Sequence, residues 1–374
     1  MFAGRCILLC LWTGPLAQGQ RPMPARTAQL ALQIGEDMGV DDAYNFGHVI
    51  GVAASRSGQI YVLDILERNV KVFDASGKFL RTFGRPGQGP GEFELPGDLR
   101  LSDSTVNVTD VTLRRVSSFT LDGKHLRTQR LPTLAGSLPG QKVFELRGGS
   151  TLAVSAAIVS PSSNGASSPS VTVSVQPPSA SRADTLLTYR TDDVRWETST
   201  TPGPSGGMST GFGDGGAWAL LGDSLVAVAD GYTGAVRWYI VDESGARLRR
   251  TASLGRQGKP VTSGDLAGLE RVFRTKYKGS RIANLPVKFG AAPPLRSIAT
   301  RAVFADDGSL WIADGSSAGR TTPWSVFAAG ASMPYVVQLP SSFTLTSVRG
   351  DRLYGYTKSE FDSPIAQVYR LGAP

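Results

Sequence analysis

Gly58-Gln-Ile-Tyr-Val-Leu-Asp64 decides the fold, because its grammar returns along the whole chain. Clear copies read Ser104-Thr-Val-Asn-Val-Thr-Asp110, Ser224-Leu-Val-Ala-Val-Ala-Asp230 and Gly308-Ser-Leu-Trp-Ile-Ala-Asp314. Two weaker copies, Ser150-Thr-Leu-Ala-Val-Ser-Ala156 and Asp351-Arg-Leu-Tyr-Gly-Tyr-Thr-Lys358, keep the alternation and lose the terminal Asp. Measured at their last residues the copies fall at 64, 110, 156, 230, 314 and 358, at steps of 46, 46, 74, 84 and 44. A step of about 45 residues is the length of one four-stranded propeller blade.

Outward from the first copy, a complete unit can be read. His48 to Ala54 forms a first strand, Ser55-Arg-Ser-Gly58 a turn, and Gln59 to Leu63 the second strand. Val70-Lys-Val-Phe73 is the third, Asp74-Ala-Ser-Gly77 a tight turn, and Lys78 to Phe83 the outer strand. Alternation, β-branched residues and Gly/Asp/Ser/Asn punctuation carry each assignment. The sixth unit stops after its third strand, Ile365-Ala-Gln-Val-Tyr-Arg-Leu371, while Ala28-Gln-Leu-Ala-Leu-Gln-Ile34 stands near the other end without a sheet. The expectation is an all-β fold, a six-bladed β-propeller closed by pairing an N-terminal strand with the C-terminal blade. An open stack of sheets is the rival, but it needs polar capping units, and neither terminus is polar.

This pattern resembles the NHL-repeat and related bacterial six-bladed β-propeller proteins. The resemblance rests on Gly58 to Asp64, Asn69-Val-Lys-Val-Phe-Asp74, Gly77-Lys-Phe-Leu80 and Gly84-Arg-Pro-Gly-Gln-Gly-Pro-Gly-Glu-Phe93. It is strong over about residues 45–130 and weaker at 217–255 and 297–316. It implies a fold and leaves function open, because related proteins include binding platforms and a few enzymes.

The 374 residues are expected to form one domain, 20–374, after a secretory signal at 1–19. Arg5 supplies a positive start, Cys6-Ile-Leu-Leu-Cys-Leu-Trp-Thr13 an apolar run too short for a bilayer, and Ala17-Gln-Gly19 small residues for cleavage. Both cysteines, Cys6 and Cys10, lie inside that signal, so the mature chain would carry neither thiol chemistry nor a Cys zinc site. The expected location is exported, periplasmic or extracellular. A net charge of +8 is scattered rather than blocked, the pattern of a basic soluble protein.

The long steps place insertions at 191–216 and 255–296, both between an outer strand and the next first strand, with a smaller excess at Val159–Ser170. In a propeller these loops emerge on one face, while turns such as Asp74-Ala-Ser-Gly77 on the other stay short. One-sided elaboration of a repeat ring marks a binding side. Thr262 to Arg274 predicts a short amphipathic helix capped by Ser263, with Leu266, Leu269, Val272 and Phe273 as its apolar stripe. Arg271, Arg274, Lys276, Lys278 and Arg281 bring positive charge to this rim, which can equally be a solvated face. Ser162 to Ser168 and Thr198 to Gly207 read as low-complexity, mobile stretches.

No motif makes a convincing catalytic site. The repeated Asp64, Asp110, Asp230 and Asp314 each open a loop, where Asp bonds backbone amides and holds the turn. Gly84 to Glu92 lacks the following helix a nucleotide loop needs, so it reads as an interblade crossing. Gly315-Ser-Ser-Ala-Gly319 matches the esterase spelling but lies between two strands instead of at a strand-to-helix elbow. Only His48 and His125 exist, which excludes a three-histidine zinc site and argues against the six-bladed amidating lyases.

The residues expected on the loop face as ligand-binding candidates are His48, Arg68, Arg114, Arg115, Trp218, Tyr232 and Arg301. Arg and Trp together suit sugars, carboxylates or an extended peptide. Core packing of Trp218 and plain solubility of the arginines are the structural alternatives. The chain therefore reads as a monomeric binding module for a protein, peptide or carbohydrate ligand, without a transmembrane segment or specific nucleic-acid recognition. The alternative is a lactonase-like hydrolase or lyase assisted by a metal in the channel. No cofactor is otherwise expected, although Ca2+ held by channel carbonyls and carboxylates leaves little sequence trace.

Overall fold

A computed structural model describes residues 25–35, 41–132, 142–157, 170–191, 193–198, 205–209, 213–280, 287–289, 294–315 and 319–372. The chain is an all-β propeller. The first sheet has the strands Val49–Ala54, Ile60–Asp64, Asn69–Phe73 and Phe79–Phe83, paired antiparallel in chain order. Three more sheets repeat this plan, starting from Pro96–Leu101, Lys142–Glu145 and Gly216–Leu221. Of the remaining strands, eight form one sheet, which falls into two halves beginning at Arg301–Phe304 and Thr344–Arg349, and three form a small separate sheet.

The second strands show why these sequences are apolar on both faces. Ile60 and Val62 join a core that also holds Tyr354, Ala366 and Val368 of the last strands. Their neighbours Tyr61 and Leu63 point the other way, into a core shared with Val106, Val108 and Phe119 of the second sheet. The same division recurs at Leu310 and Ile312 against Trp311 and Ala313. A sheet packed between two others must be apolar at consecutive positions, since alternate side chains go to opposite neighbours. Each buried Val, Leu or Ile contributes about 1.5–3 kcal/mol relative to exposure. Between the second and third sheets the Arg100 guanidinium lies over the Phe144 ring, 4.2 Å from its centroid.

The strand expected at 28–34 runs Ala25–Ile34. It pairs antiparallel with Pro364–Leu371, from Ala28 opposite Leu371 to Ile34 opposite Ala366. Its first residues also pair in parallel with Tyr335–Pro340, with Ala25 opposite Val336 and Thr27 opposite Gln338. The extra three residues therefore join the two halves of the eight-stranded sheet. Elsewhere along this seam the Thr346 hydroxyl accepts from the Val52 amide at 3.0 Å and donates to its carbonyl at 2.6 Å.

Two expectations are corrected. The helix spans Ser263–Lys276 and its cap is Thr262, not Ser263, because Thr262 and Asp265 form a reciprocal capping box. Of its expected stripe, Leu269 and Phe273 are buried while Leu266 and Val272 are exposed. The segment 191–216, read as an insertion with a low-complexity centre, carries the strands Asp193–Thr198 and Ser205–Ser209, and the former also pairs with Val287–Phe289. The signal at 1–19, the stretch 162–168 and residues 316–318 of the esterase-like spelling lie outside the described residues. That spelling is flanked by strands on both sides, Leu310–Ala313 and Thr321–Phe327. No helix among the described residues is long and apolar enough to cross a membrane.

Candidate functional site

The repeated Asp residues locate one face of the molecule. Asp64 is fully buried at the end of its strand. Its carboxylate accepts from the amides of Gly47 (2.6 Å), His48 (3.0 Å), Leu66 (3.0 Å) and Glu67 (3.1 Å). Asp110 repeats this with Glu94 (2.7 Å), Leu95 (3.1 Å), Thr112 (3.1 Å) and Leu113 (2.8 Å). Each carboxylate thus ties the loop after the second strand to the chain entering the first. Asp230 accepts from Tyr232 (2.9 Å) and Thr233 (3.0 Å). Asp314, 2 % exposed, is ion-paired with Arg256, which comes from the longer insertion.

That insertion is built as a closed loop. Arg296 donates its amide to the Lys259 carbonyl at 2.7 Å, and Gly258 donates to the Tyr232 carbonyl at 2.9 Å. Ile298 donates to the Gly231 carbonyl at 2.8 Å, and Gly231 to that of Gly215 at 2.9 Å, so the ends of both insertions meet at the Asp230 turn. Glycine is required by contact here: a Cβ on Gly231 would stand 2.0 Å from the Ser297 hydroxyl, and one on Gly315 2.1 Å from the Thr300 methyl. Within the loop, Asp265 caps the helix and pairs with Arg296 at 2.6 Å. The Thr262 amide, then the Arg296 guanidinium, hold the Asp265 carboxyl down at about 2. Tyr277 packs against buried Phe273 with ring centroids 4.8 Å apart.

The candidate residues are dispersed: His48, Arg68, Arg114 and Tyr232 lie in turns of this face, Arg115 and Arg301 begin strands, and Trp218 lies within a strand. His48 is exposed beside the Asp64 clamp. Arg68 and Arg114 sit in left-handed backbone positions, φ 55° and 51°, of the equivalent turns after Asp64 and Asp110. Arg114 donates to the Pro132 carbonyl at 3.0 Å. Arg115 donates to three carbonyls of the glycine-rich crossing, Gln88 (2.7 Å), Gly89 (2.7 Å) and Glu92 (2.8 Å), and so pins that loop. Glu92 closes the same loop through the Gly89 amide at 2.8 Å and an ion pair with Arg85. Its carboxyl is held below the ordinary range, by the Gly89 amide first and Arg85 next. Trp218 packs on Phe144 at 5.6 Å within the core between the third and fourth sheets. Tyr232 anchors the insertion through its backbone, and Arg301 is exposed at the start of its strand.

Among the described residues no three His, Cys, Asp or Glu side chains are grouped to hold a metal ion. His125 is half-buried, edge-on to Phe119 at 5.5 Å and bonded to the Thr128 hydroxyl at 2.9 Å. Sequence reasoning missed Arg256, Ser297 and the small sheet that links the insertions. The signal was the glycines at 213, 215, 231 and 315, each beside a strand end on this face.

A family model described as a 6-bladed beta-propeller matches residues 41–147. No curated protein matches the sequence. Among solved structures, the chain is similar to a member of the DUF4221 family from Bacteroides vulgatus, at 10% identity and TM-score 0.49 over 93% of this chain and 99% of that one. It is also similar to the calcium-binding protein regucalcin from Agrobacterium tumefaciens, at 11% identity and TM-score 0.42 over 92% and 96% of the two chains. A third is virginiamycin B lyase from Staphylococcus aureus, at 12% identity and TM-score 0.40 over 91% and 99%.

Proposed function

We propose that this chain is an exported, monomeric six-bladed β-propeller, tied shut by its N-terminal strand, that binds a protein, peptide or carbohydrate on its loop face. One observation carries the reading: the two insertions, separated in sequence by a whole four-stranded sheet, join one small sheet and are anchored on the same loop-side turns. A segment with its own capped helix, its own sheet and an ion pair to a buried Asp is built to hold a shape. The six-unit repeat, the matched family model and the seam between the first and last strands support the blade number and the closure. The NHL-like stretch at about 45–130 lies within the matched residues 41–147.

In this reading Asp64, Asp110 and Asp314 are structural, since each carboxylate is already committed to amides or to Arg256. The module works without a resident cofactor. Array screening of peptides and glycans with the purified chain, followed by hydrogen-exchange footprinting of the best binder, tests it. Protection is expected at 47–48, 64–69, 110–115, 230–234 and the insertions. Protection confined to the opposite turns, 55–58, 74–77 and 121–123, overturns it. A stoichiometric ion after dialysis, together with lactone or ester hydrolysis that a chelator abolishes, overturns it in favour of the metal-assisted hydrolase.

A further inference from the structure

The helix of the longer insertion presents an exposed basic face. Its buried side is Leu269 and Phe273. On another side Ala267, Glu270, Arg271, Arg274, Thr275 and Lys278 line a shallow open groove. Arg271 and Arg274, spaced i and i+3, share one side of the helix, and Lys278, two residues past its end, lines the same groove.

Among the described residues charge balance within the groove is incomplete. Glu270 neutralises Arg274 at 2.6 Å, and Asp265 neutralises Arg296, but neither pair reaches Arg271 or Lys278. Cations in a last turn complement the helix dipole, which accounts for Arg274 and Lys276; Arg271 stands a turn earlier and Lys278 lies beyond the helix end. The groove also offers a carboxylate acceptor at Glu270 and a hydroxyl at Thr275, which donates to the Arg271 carbonyl at 2.9 Å. The exposed apolar residues Leu266 and Val272 are not among its lining, so the basic groove lacks the adjoining apolar face that a lipid surface requires.

We propose that the Glu270–Lys278 groove binds an acidic polysaccharide, whose carboxylate or sulfate groups pair with Arg271 and Lys278 and whose hydroxyls meet Glu270 and Thr275. This rests on the loop-face binding reading and names its ligand class. A polyanion without hydroxyls satisfies only the cations; a neutral glycan satisfies only the acceptors.

Calorimetric titration at physiological salt tests it, with defined oligogalacturonate as the probe and neutral dextran oligomers, polyglutamate and a DNA duplex as comparisons. The expected result is binding of oligogalacturonate in preference to all three. The double variant Arg271→Glu/Lys278→Glu loses at least tenfold, while Arg127→Glu/Arg130→Glu, an equal charge change on the exposed outer strand of the second sheet, loses less than threefold. Equal losses in both variants reveal diffuse charge and overturn the groove. Polyglutamate or DNA matching the saccharide overturns the ligand class, and absence of oligogalacturonate binding overturns the proposal outright. Saccharide binding that survives the groove variant, with a footprint elsewhere on the loop face, overturns the groove and leaves the loop-face reading standing.

Discussion

A carboxylate removed from water is tolerated at Asp64 because four amide donors replace its hydration. Asp64→Ala leaves those donors without an acceptor and is expected to destabilise the chain by about 3 kcal/mol. Asp230→Ala, where two amides are held in a less buried turn, is expected to cost about 1 kcal/mol. Urea midpoints of the two variants compare these directly, and equal losses would show that the buried clamp has no special weight. This turn role was legible in sequence because every partner of Asp64 lies within 17 residues. Asp314 follows the same spelling, but its partner Arg256 is 58 residues away, and no local pattern announces it. A second residue-scale test uses pH. The Asp265 carboxyl is depressed to about 2 in the fold, against about 3.9 when unfolded. Its stabilisation of the helix start is therefore complete above pH 4 and is lost as the pH falls toward 2. Hydrogen exchange over 263–276 should stay constant from pH 7 to 5, after correction for intrinsic rates, and quicken between pH 4 and 2. Asp265→Asn should abolish that change.

The insertions behave as one element because their attachment points converge. Arg256 to Asp314 is a charged tether from the longer insertion to the neighbouring sheet, and its guanidinium side chain is 31 % exposed while the carboxylate is 2 % exposed. Removing the cation takes a charge partner from a buried anion, so Arg256→Ala is expected to cost about 2–3 kcal/mol, below the range for fully buried pairs because of the exposure of the guanidinium. Exchange in 258–276 should rise more than in the first sheet; uniform loosening would mean that the tether supports the whole ring instead. The helix was readable from its cap and periodicity, which are local. The sheet at 193–198, 205–209 and 287–289 was not, since its edge strand Ser205-Gly-Gly-Met-Ser209 carries little β preference and the other partner strand is only three residues long and lies about 90 residues downstream. Half the expected apolar stripe stays outside, so Leu266 and Val272 show that periodicity finds a helix more readily than its contact face.

At the scale of the molecule, stability depends on each sheet having a neighbour on both sides, and the first and last sheets obtain theirs from each other. Ile34, at the end of the closing strand, is fully buried in the core that joins Val52, Ile60 and Val62 to Tyr354 and Val368. Leu30 lies on the same strand and is half exposed. The unpaired third strand at 364–371 and the orphan at 28–34 made this pairing visible in sequence; the parallel contact of Ala25–Thr27 with Tyr335–Pro340 was hidden, because register between distant strands leaves no local mark. Ile34→Asp places an unpaired charge in the shared core and should cost about 4 kcal/mol, whereas Leu30→Asp should change stability by less than about 1 kcal/mol. If the ring is one cooperative unit, Ile34→Asp also quickens exchange in Ile60–Asp64 and in Arg352–Lys358, on both sides of the seam. An effect limited to fraying of 25–34, with those two strands protected as before, would mean that the closing strand is an accessory to the ring and that the other contacts across the seam, such as Thr346 to Val52, are sufficient to hold it.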